Sequence, residues 1–131
     1  MPRSPWLFPG LLFLALVLRL QGLNWDEGRG LHPDEGNLVR AAVALAWPDR
    51  LIPGFHAYND LALWLPKLAA LPFCDTASDH CLRMTARVIS AAFSTAAVWA
   101  MAAVALRLAG PLAMLATALV GALSAPLIQW A

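Results

Sequence analysis

Two long stretches without a charged residue constrain what this chain can fold into more than any other feature of its sequence. Nineteen uncharged residues separate Arg87 from Arg107, and residues 108–131 carry no charge at all. A helix that crosses a bilayer needs about 20 predominantly apolar residues, because it rises about 1.5 Å per residue. Both stretches are therefore predicted to be transmembrane helices, at about residues 86–107 and 110–131.

A third apolar segment covers residues 6–23 and contains a single charge, Arg19. A long side chain near the end of a span is able to extend to the interface, so this segment also qualifies. A cleaved signal peptide is the alternative, but the following residues, RLQGLNWDE, do not resemble a small-residue cleavage site. The predicted fold class is all-α, a multi-pass membrane protein with three transmembrane helices. A hydrophobic content of 60% and a mean hydropathy of +0.64 agree with that class.

The distribution of charge sets the predicted orientation. All eight acidic residues lie between Asp26 and Asp79, whereas the N-terminus and the turn at Arg107 carry only arginine. Positive segments free of acids favour the cytoplasm. The N-terminus is therefore predicted to be cytoplasmic, and a loop of about residues 24–85 extracytoplasmic. The net charge of +1 argues against a nucleic-acid partner, because binding to phosphates needs a basic surface.

Two short helices are predicted in this loop, which is too long for a linker and too apolar to be disordered. The first begins at Pro33 and ends before Pro48. Its apolar face consists of Leu38, Ala41, Ala42 and Leu45. The second follows Asp60, as N-cap, and is kinked at Pro66. Both helices contain Trp and an apolar face, so they are expected to lie at the membrane surface.

Small residues recur at every fourth position in the last two apolar segments, a pattern that lets membrane helices approach closely. One stripe consists of Ala92, Ala96 and Ala100, and the other of Ala113, Thr117, Gly121 and Ala125. Alanine-rich membrane helices also show such stripes by chance, so both explanations stay open.

An acidic pair, Asp34-Glu35, opens the first predicted loop helix. Negative charge in a first turn stabilises a helix by about 0.3–1 kcal/mol, which is a sufficient structural explanation. The functional explanation comes from the position of the pair at the external membrane surface. An acid held there could accept a proton from a hydroxyl or bind a cation. Asp34 and Glu35 are therefore the candidate catalytic residues.

Two cysteines, Cys74 and Cys81, lie in the loop segment FCDTASDHC. An oxidising exterior favours a disulfide between them. A zinc site that includes Asp75, Asp79 and His80 is the rival, and free thiols are a third possibility. The spacing matches no usual zinc pattern, so the disulfide is predicted and no metal site is assigned.

Several short motifs follow one another along nearly the whole chain: LRLQGL, HPDEGNLVRAA, YNDLALWLPKLAAL, ARVISAAFS and LSAPL. Their order and spacing resemble the N-terminal part of integral-membrane glycosyltransferases of the GT-C type. The families concerned are the dolichyl-phosphate-mannose protein mannosyltransferases and the aminoarabinose transferases of lipid A. One departure stands out, because the Pro-Pro pair expected before the second loop helix is Asn59-Asp60 here. That departure leaves the geometry of the acceptor side open.

The resemblance implies an inverting transfer of a sugar from a polyprenyl-phosphate donor to an acceptor hydroxyl at the extracytoplasmic face. By analogy, Asp34 would orient or deprotonate the acceptor, and Glu35 would position neighbouring groups or assist a divalent cation. The residues expected to bind substrate are His32, Arg29, Arg40, His56, Tyr58, Asn59 and Asp60.

Members of these families continue for many more helices. The resemblance therefore implies the N-terminal portion of an enzyme in the bacterial inner membrane. Its expected partners are the lipid bilayer, the polyprenyl-phosphate sugar and a membrane protein that supplies further helices.

A competing hypothesis is a non-catalytic membrane scaffold, or the subunit of a split enzyme, that keeps the same fold. The short chain and the missing Pro-Pro pair favour it. A third hypothesis is an ion carrier. Carriers place ionisable groups within their spans, and the predicted spans beyond Arg19 contain none.

Overall fold

The computed structural model describes residues 6–27, 29–55, 57 and 59–124. Over these residues the chain forms five helices and no strand, which confirms the all-α class for this part. The helices are α1 (Leu7–Leu20), α2 (Pro33–Ala44), α3 (Asp60–Ala70), α4 (Asp79–Ala109) and α5 (Pro111–Leu123).

The chain divides into two compact units. The terminal unit comprises Met1–Leu23 and Val88–Ala131, and the central unit comprises Asn24–Arg87. Helix α4 contributes to both, since its residues up to Arg87 belong to the central unit.

The core of the central unit forms where α2 packs against α3. Its buried residues are Val39, Ala42, Leu45, Leu63, Ala70, Cys81 and Leu82. The predicted apolar face of α2 is confirmed, because Ala42 and Leu45 are buried and Leu38 and Ala41 pack against them partly buried. Burial of this face stabilises α2, as helices of this length are marginal in isolation.

Two local signals set the starts of the loop helices. Pro33 is the first residue of α2, as predicted, and the helix ends at Ala44, a few residues earlier than expected. The N-cap of α3 is Asn59 rather than Asp60, which is the first residue of the helix. The Oδ1 atom of Asn59 accepts a hydrogen bond of 3.1 Å from the backbone N–H of Leu61. Asparagine is among the strongest N-cap residues for this reason.

Helix α4 begins at Asp79, well before the predicted span at about residue 86. The Oγ atom of Ser78 accepts a hydrogen bond from the N–H of Cys81 (3.4 Å), and its carbonyl accepts one from Leu82 (3.2 Å). Ser78 therefore satisfies donors at the start of the helix, where they lack intrahelical partners. The early start makes Arg83 and Arg87 helical, one turn apart.

In the terminal unit α1 packs against α5, and Arg19 lies buried with 3% of its surface exposed rather than extending to an interface. The three residues of the stripe Ala92, Ala96 and Ala100 are exposed, so this stripe is not packed within the described part of the chain. A neighbouring face of α4 is buried instead, formed by Ala91, Val98 and Ala102. Ten of the 31 residues of α4 are alanine and they occur on every side of the helix, so small size alone does not select a face.

The second stripe of small residues, on α5, is partly buried in a contact between helices. Gly121 is buried against Val98, and a Cβ atom added to it would lie 2.9 Å from Val98 Cγ1. Ala113 and Thr117 are half-buried, and Ala125 lies outside the described residues. Glycine at position 121 thus permits the close approach of α5 to α4 in this unit.

Among the described residues, α4 is the one helix long and apolar enough to cross a membrane. It has 31 residues, and its best 18-residue window has a mean hydropathy of 1.8. Helices α1 and α5 are apolar but have 14 and 13 residues. A 14-residue helix is about 21 Å long, against about 30 Å for the hydrocarbon core. Residues 125–131 of the third predicted span lie outside the described part.

Candidate functional site

The acidic pair at the start of α2 divides between two environments, because successive helical residues point about 100° apart. Asp34 is exposed, whereas 18% of the Glu35 side chain is exposed. Both oxygens of Glu35 accept hydrogen bonds from Arg87, over 2.6 Å from Nε to Oε1 and 2.7 Å from Nη2 to Oε2. This bidentate geometry is the strongest form of ion pair available to a carboxylate. Glu35 is fixed in place, and Asp34 remains at the surface.

Glu35 belongs to an ion cluster of four residues, which we define as Asp26, Glu35, Arg83 and Arg87. The Asp26 side chain is fully buried, and its two oxygens accept hydrogen bonds of 3.0 Å from Nη1 and Nη2 of Arg87. The Nη1 atom of Arg83 lies 3.6 Å from Asp26 Oδ2 and from Glu35 Oε2, at ion-pair range. Two carboxylates thus balance two guanidinium groups, which is the condition for burying such charges.

The backbone around residue 30 holds the ion cluster together. Asp26 Oδ2 also accepts a 2.9 Å hydrogen bond from the N–H of Gly30. Gly30 has a φ of +64°, and a Cβ atom there would collide with the guanidinium of Arg83. Glycine meets both demands, because it adopts positive φ without penalty and leaves room for the neighbouring side chain. Arg87 also lies over the ring of Trp25, 5.8 Å from its centroid.

The other predicted substrate-binding residues are distributed over several local structures. His32 is the N-cap of α2, where its Nδ1 accepts a long 3.5 Å hydrogen bond from the N–H of Glu35. Arg29 forms an exposed 2.6 Å ion pair with Glu27. Asn59 and Asp60 begin α3, and Asp60 is exposed. His56 and Tyr58 lie outside the described residues.

Arg40 lines a groove on the central unit with a volume of about 280 Å³. We call it the arginine groove; its lining residues are Asn37, Arg40, Ala41, Ala44, Arg50, Gly54 and Phe55. The Nη2 atom of Arg40 donates a 2.7 Å hydrogen bond to Asn37 Oδ1. Of the residues predicted to bind substrate, Arg40 is thus placed in a concave surface.

Lys67 stabilises the end of α2 from within the core. Its Nζ atom donates hydrogen bonds of 3.0 Å to the carbonyls of Ala42 and Val43. These carbonyls belong to the last turn of α2, where backbone partners are few; that of Ala42 also accepts a 3.2 Å hydrogen bond from the N–H of Leu45. Burial lowers the pKa of Lys67 below its ordinary value, and the nearby carboxylate of Asp75 partly opposes that effect.

The two loop cysteines form a disulfide, Cys74–Cys81, which joins the turn after α3 to the first turns of α4. Neither of these two cysteines is therefore a free thiol. The described part of the chain contains no group of three or more His, Cys, Asp or Glu side chains arranged to hold a metal ion.

Sequence reasoning did not assign Asp26, Arg83 or Arg87 to the site. The four-residue spacing of the two arginines indicates that they share a helix face. Their partners could not be found in this way, because Arg87 is 52 positions from Glu35 and 61 from Asp26. No local pattern records contacts of that range.

No protein-family model, curated protein or solved structure matches this chain. Its function is therefore inferred from its own residues.

Proposed function

We propose that this chain belongs to a membrane glycosyltransferase that transfers a sugar from a polyprenyl-phosphate donor to an acceptor hydroxyl at the extracytoplasmic face. The donor and the acceptor class are what the resemblance of its motifs implies, and the structural observation that supports the proposal is the division of the acidic pair at the start of α2. Asp34 is exposed, and its neighbour Glu35 is held by Arg87 on both oxygens. One carboxylate is free to meet a substrate, while the other anchors the helix that presents it.

The chemistry assigns different roles to the two acids. The acceptor oxygen attacks the anomeric carbon and gives its proton to a base within hydrogen-bond reach. The bond from the anomeric carbon to the phosphate oxygen breaks, and the phosphate leaves on its lipid. Asp34 is proposed as the base, because none of the described cations pairs with it and its carboxylate is accessible. Glu35 is proposed as a positioning residue, since both of its oxygens accept hydrogen bonds from Arg87.

The proposal includes a multi-pass topology in which α1, α4 and α5 lie in the bilayer. Their apolar composition supports it, and the absence of acidic residues from positions 1–23 and 88–131 adds to that support. The central unit would then lie at the extracytoplasmic surface, with α2 and α3 in the headgroup layer. Donor lipids present their phosphate and sugar in that layer.

Replacing Asp34 by Asn tests the proposal in the complete membrane assembly that contains this chain. Sugar transfer is expected to fall by about 10²–10⁴-fold, the usual contribution of a general base. Membrane insertion and helix content should stay unchanged, because the side chain is exposed. Asp49→Asn is the matched control, since it removes another exposed acid of the same unit and should leave transfer intact. Wild-type rates in Asp34→Asn would exclude the proposed base.

A membrane scaffold is the second candidate, favoured by the ion cluster. All four carboxylate oxygens of Asp26 and Glu35 accept bonds from Arg87, which serves structure rather than chemistry. A scaffold predicts that Asp34→Asn leaves both transfer and partner co-purification unchanged. Arg87→Met would then release the partner, which co-purification from detergent extracts measures directly.

A further inference from the structure

The arginine groove is a feature of the central unit that the proposed transfer step does not use. Asn37, Arg40, Ala41 and Ala44 recur at the spacing that places residues on one side of a helix, so one wall is a face of α2. Arg50, Gly54 and Phe55 belong to the segment that follows α2 and complete the lining. The groove is therefore built within a single compact unit.

The charged groups of the groove are both positive and donate hydrogen bonds. Arg40 and Arg50 contribute two guanidinium groups, and none of the described lining residues is acidic. In the part of the chain that the structure describes, no carboxylate lies within ion-pair distance of either one. The other arginines of the central unit, Arg29, Arg83 and Arg87, all have such a partner. Arg40 and Arg50 are thus the arginines of this unit with charge available to a ligand.

The guanidinium of Arg40 and the backbone of Arg50 start from restrained positions. The guanidinium of Arg40 donates a hydrogen bond to Asn37 Oδ1. The amide NH₂ of Asn37 remains as a further donor. The backbone of Arg50 exchanges two hydrogen bonds with Ala46, of 3.0 and 2.8 Å. Lys67 caps the last carbonyls of α2, which would otherwise repel an anion near this end of the helix. Restraint of this kind lowers the entropic cost of gripping a ligand.

The size and lining of the groove indicate which class of ligand it binds. Its volume of about 280 Å³ is near the lower limit of small-molecule sites, about 300 Å³, and suits a headgroup-sized ligand. A guanidinium group can donate two parallel hydrogen bonds to two oxygens of one phosphate. Ala41, Ala44 and Phe55 add an apolar wall beside the two charges. We propose that the arginine groove binds a phosphate mono- or diester through Arg40 and Arg50. This site does not depend on Asp34 being catalytic.

Calorimetric titration of the full chain in dodecyl maltoside micelles, which contain no phosphate, tests the proposal. One arm uses inorganic phosphate, and the other uses phosphatidic acid added in mixed micelles. The double variant Arg40→Ala/Arg50→Ala is expected to weaken binding at least 10-fold, and each single variant by less. Arg40→Lys/Arg50→Lys should give an intermediate affinity, because it keeps both charges but loses the guanidinium groups.

Arg107→Ala is the matched control, since it removes an exposed arginine from the other end of α4 and should bind like the wild type. Far-UV circular dichroism confirms that each variant keeps its helices. Binding of both ligands identifies the phosphate itself as the determinant, and binding of phosphatidic acid alone identifies a lipid headgroup. The proposal is overturned if the wild type binds neither ligand, if the double variant binds as well as the wild type, or if Arg107→Ala weakens binding equally.

Discussion

Two buried arginines, one in each unit, are accommodated in opposite ways. Arg87 in the central unit donates to the carboxylates of Asp26 and Glu35. Arg19 in the terminal unit donates to neutral oxygens: Ser94 Oγ at 2.8 Å, and the carbonyls of Ala15 and Gly121 at 3.0 Å each. Arg87 is 8% exposed and Arg19 is 3% exposed, so their burial is similar. The difference lies in the partners.

The distribution of acids along the chain explains this difference. Every Asp and Glu lies between residues 26 and 79, so the terminal unit has no carboxylate of its own to offer. It offers carbonyls instead, and Gly121 belongs to the last turn of α5, whose carbonyls have no intrahelical partner. The charge of Arg87 is neutralised, whereas the charge of Arg19 is solvated by dipoles. The two arginines should therefore respond differently to removal.

The largest effect is expected for Arg87→Met. Removing this guanidinium leaves the fully buried carboxylate of Asp26 and the partly buried carboxylate of Glu35 without their main partner, which costs about 3–5 kcal/mol of unfolding free energy. Titration with SDS in dodecyl maltoside micelles, followed by far-UV circular dichroism, measures the loss. The quadruple variant Asp26→Asn/Glu35→Gln/Arg83→Met/Arg87→Met should recover part of it, because no unpaired charge of the ion cluster remains. A loss below about 1 kcal/mol would show that the ion cluster does not stabilise the central unit.

A smaller effect is expected for Gly30→Ala, compared with Gly22→Ala. Both glycines have positive φ, +64° and +75°, so both substitutions incur a backbone penalty of about 1–2 kcal/mol. A Cβ atom at Gly30 would in addition displace Arg83 from the ion cluster, whereas Gly22 has open space around it. The same SDS titration should show a greater loss for Gly30→Ala. Equal losses would mean that Arg83 moves aside without cost.

The smallest effect is expected for Arg19→Met, at most about 2 kcal/mol. The variant loses three hydrogen bonds but leaves only neutral groups behind, and it removes a desolvated charge. Arg107→Met, which removes an exposed arginine, is the control and should change stability by less than about 0.5 kcal/mol. If Arg19→Met destabilises as much as Arg87→Met, the contrast between neutralised and solvated charge fails.

Much of the helical architecture could be predicted from short-range patterns. Pro33 marks the start of α2, and the spacing of Ala42 and Leu45 gives its buried face. These signals are local, because a cap or an apolar face is specified within one or two helical turns. The stripes of small residues do not identify the buried face of α4, because alanine occurs on every side of this helix.

The candidate site was predicted only in part. Asp34 and Glu35 stand out in the sequence as a pair, but nothing in their spacing says that one is exposed and the other paired. That outcome depends on Arg87, 52 residues further along the chain. Arg40 was expected to bind substrate, but its groove requires Arg50, which the bridge between Ala46 and Arg50 brings near α2.

The sequence by itself determined that the described part of this protein is helical, that α2 begins at Pro33, and that the acids are confined to one central segment. The tertiary structure decided which arginines meet those acids, which carboxylate of the pair stays exposed, and how Arg19 is buried without a counter-ion. The physical reason is how far apart in the sequence the interacting residues lie. Helix formation depends on neighbours within a few residues, whereas a buried charge is stabilised by whichever groups the packing brings within about 3 Å.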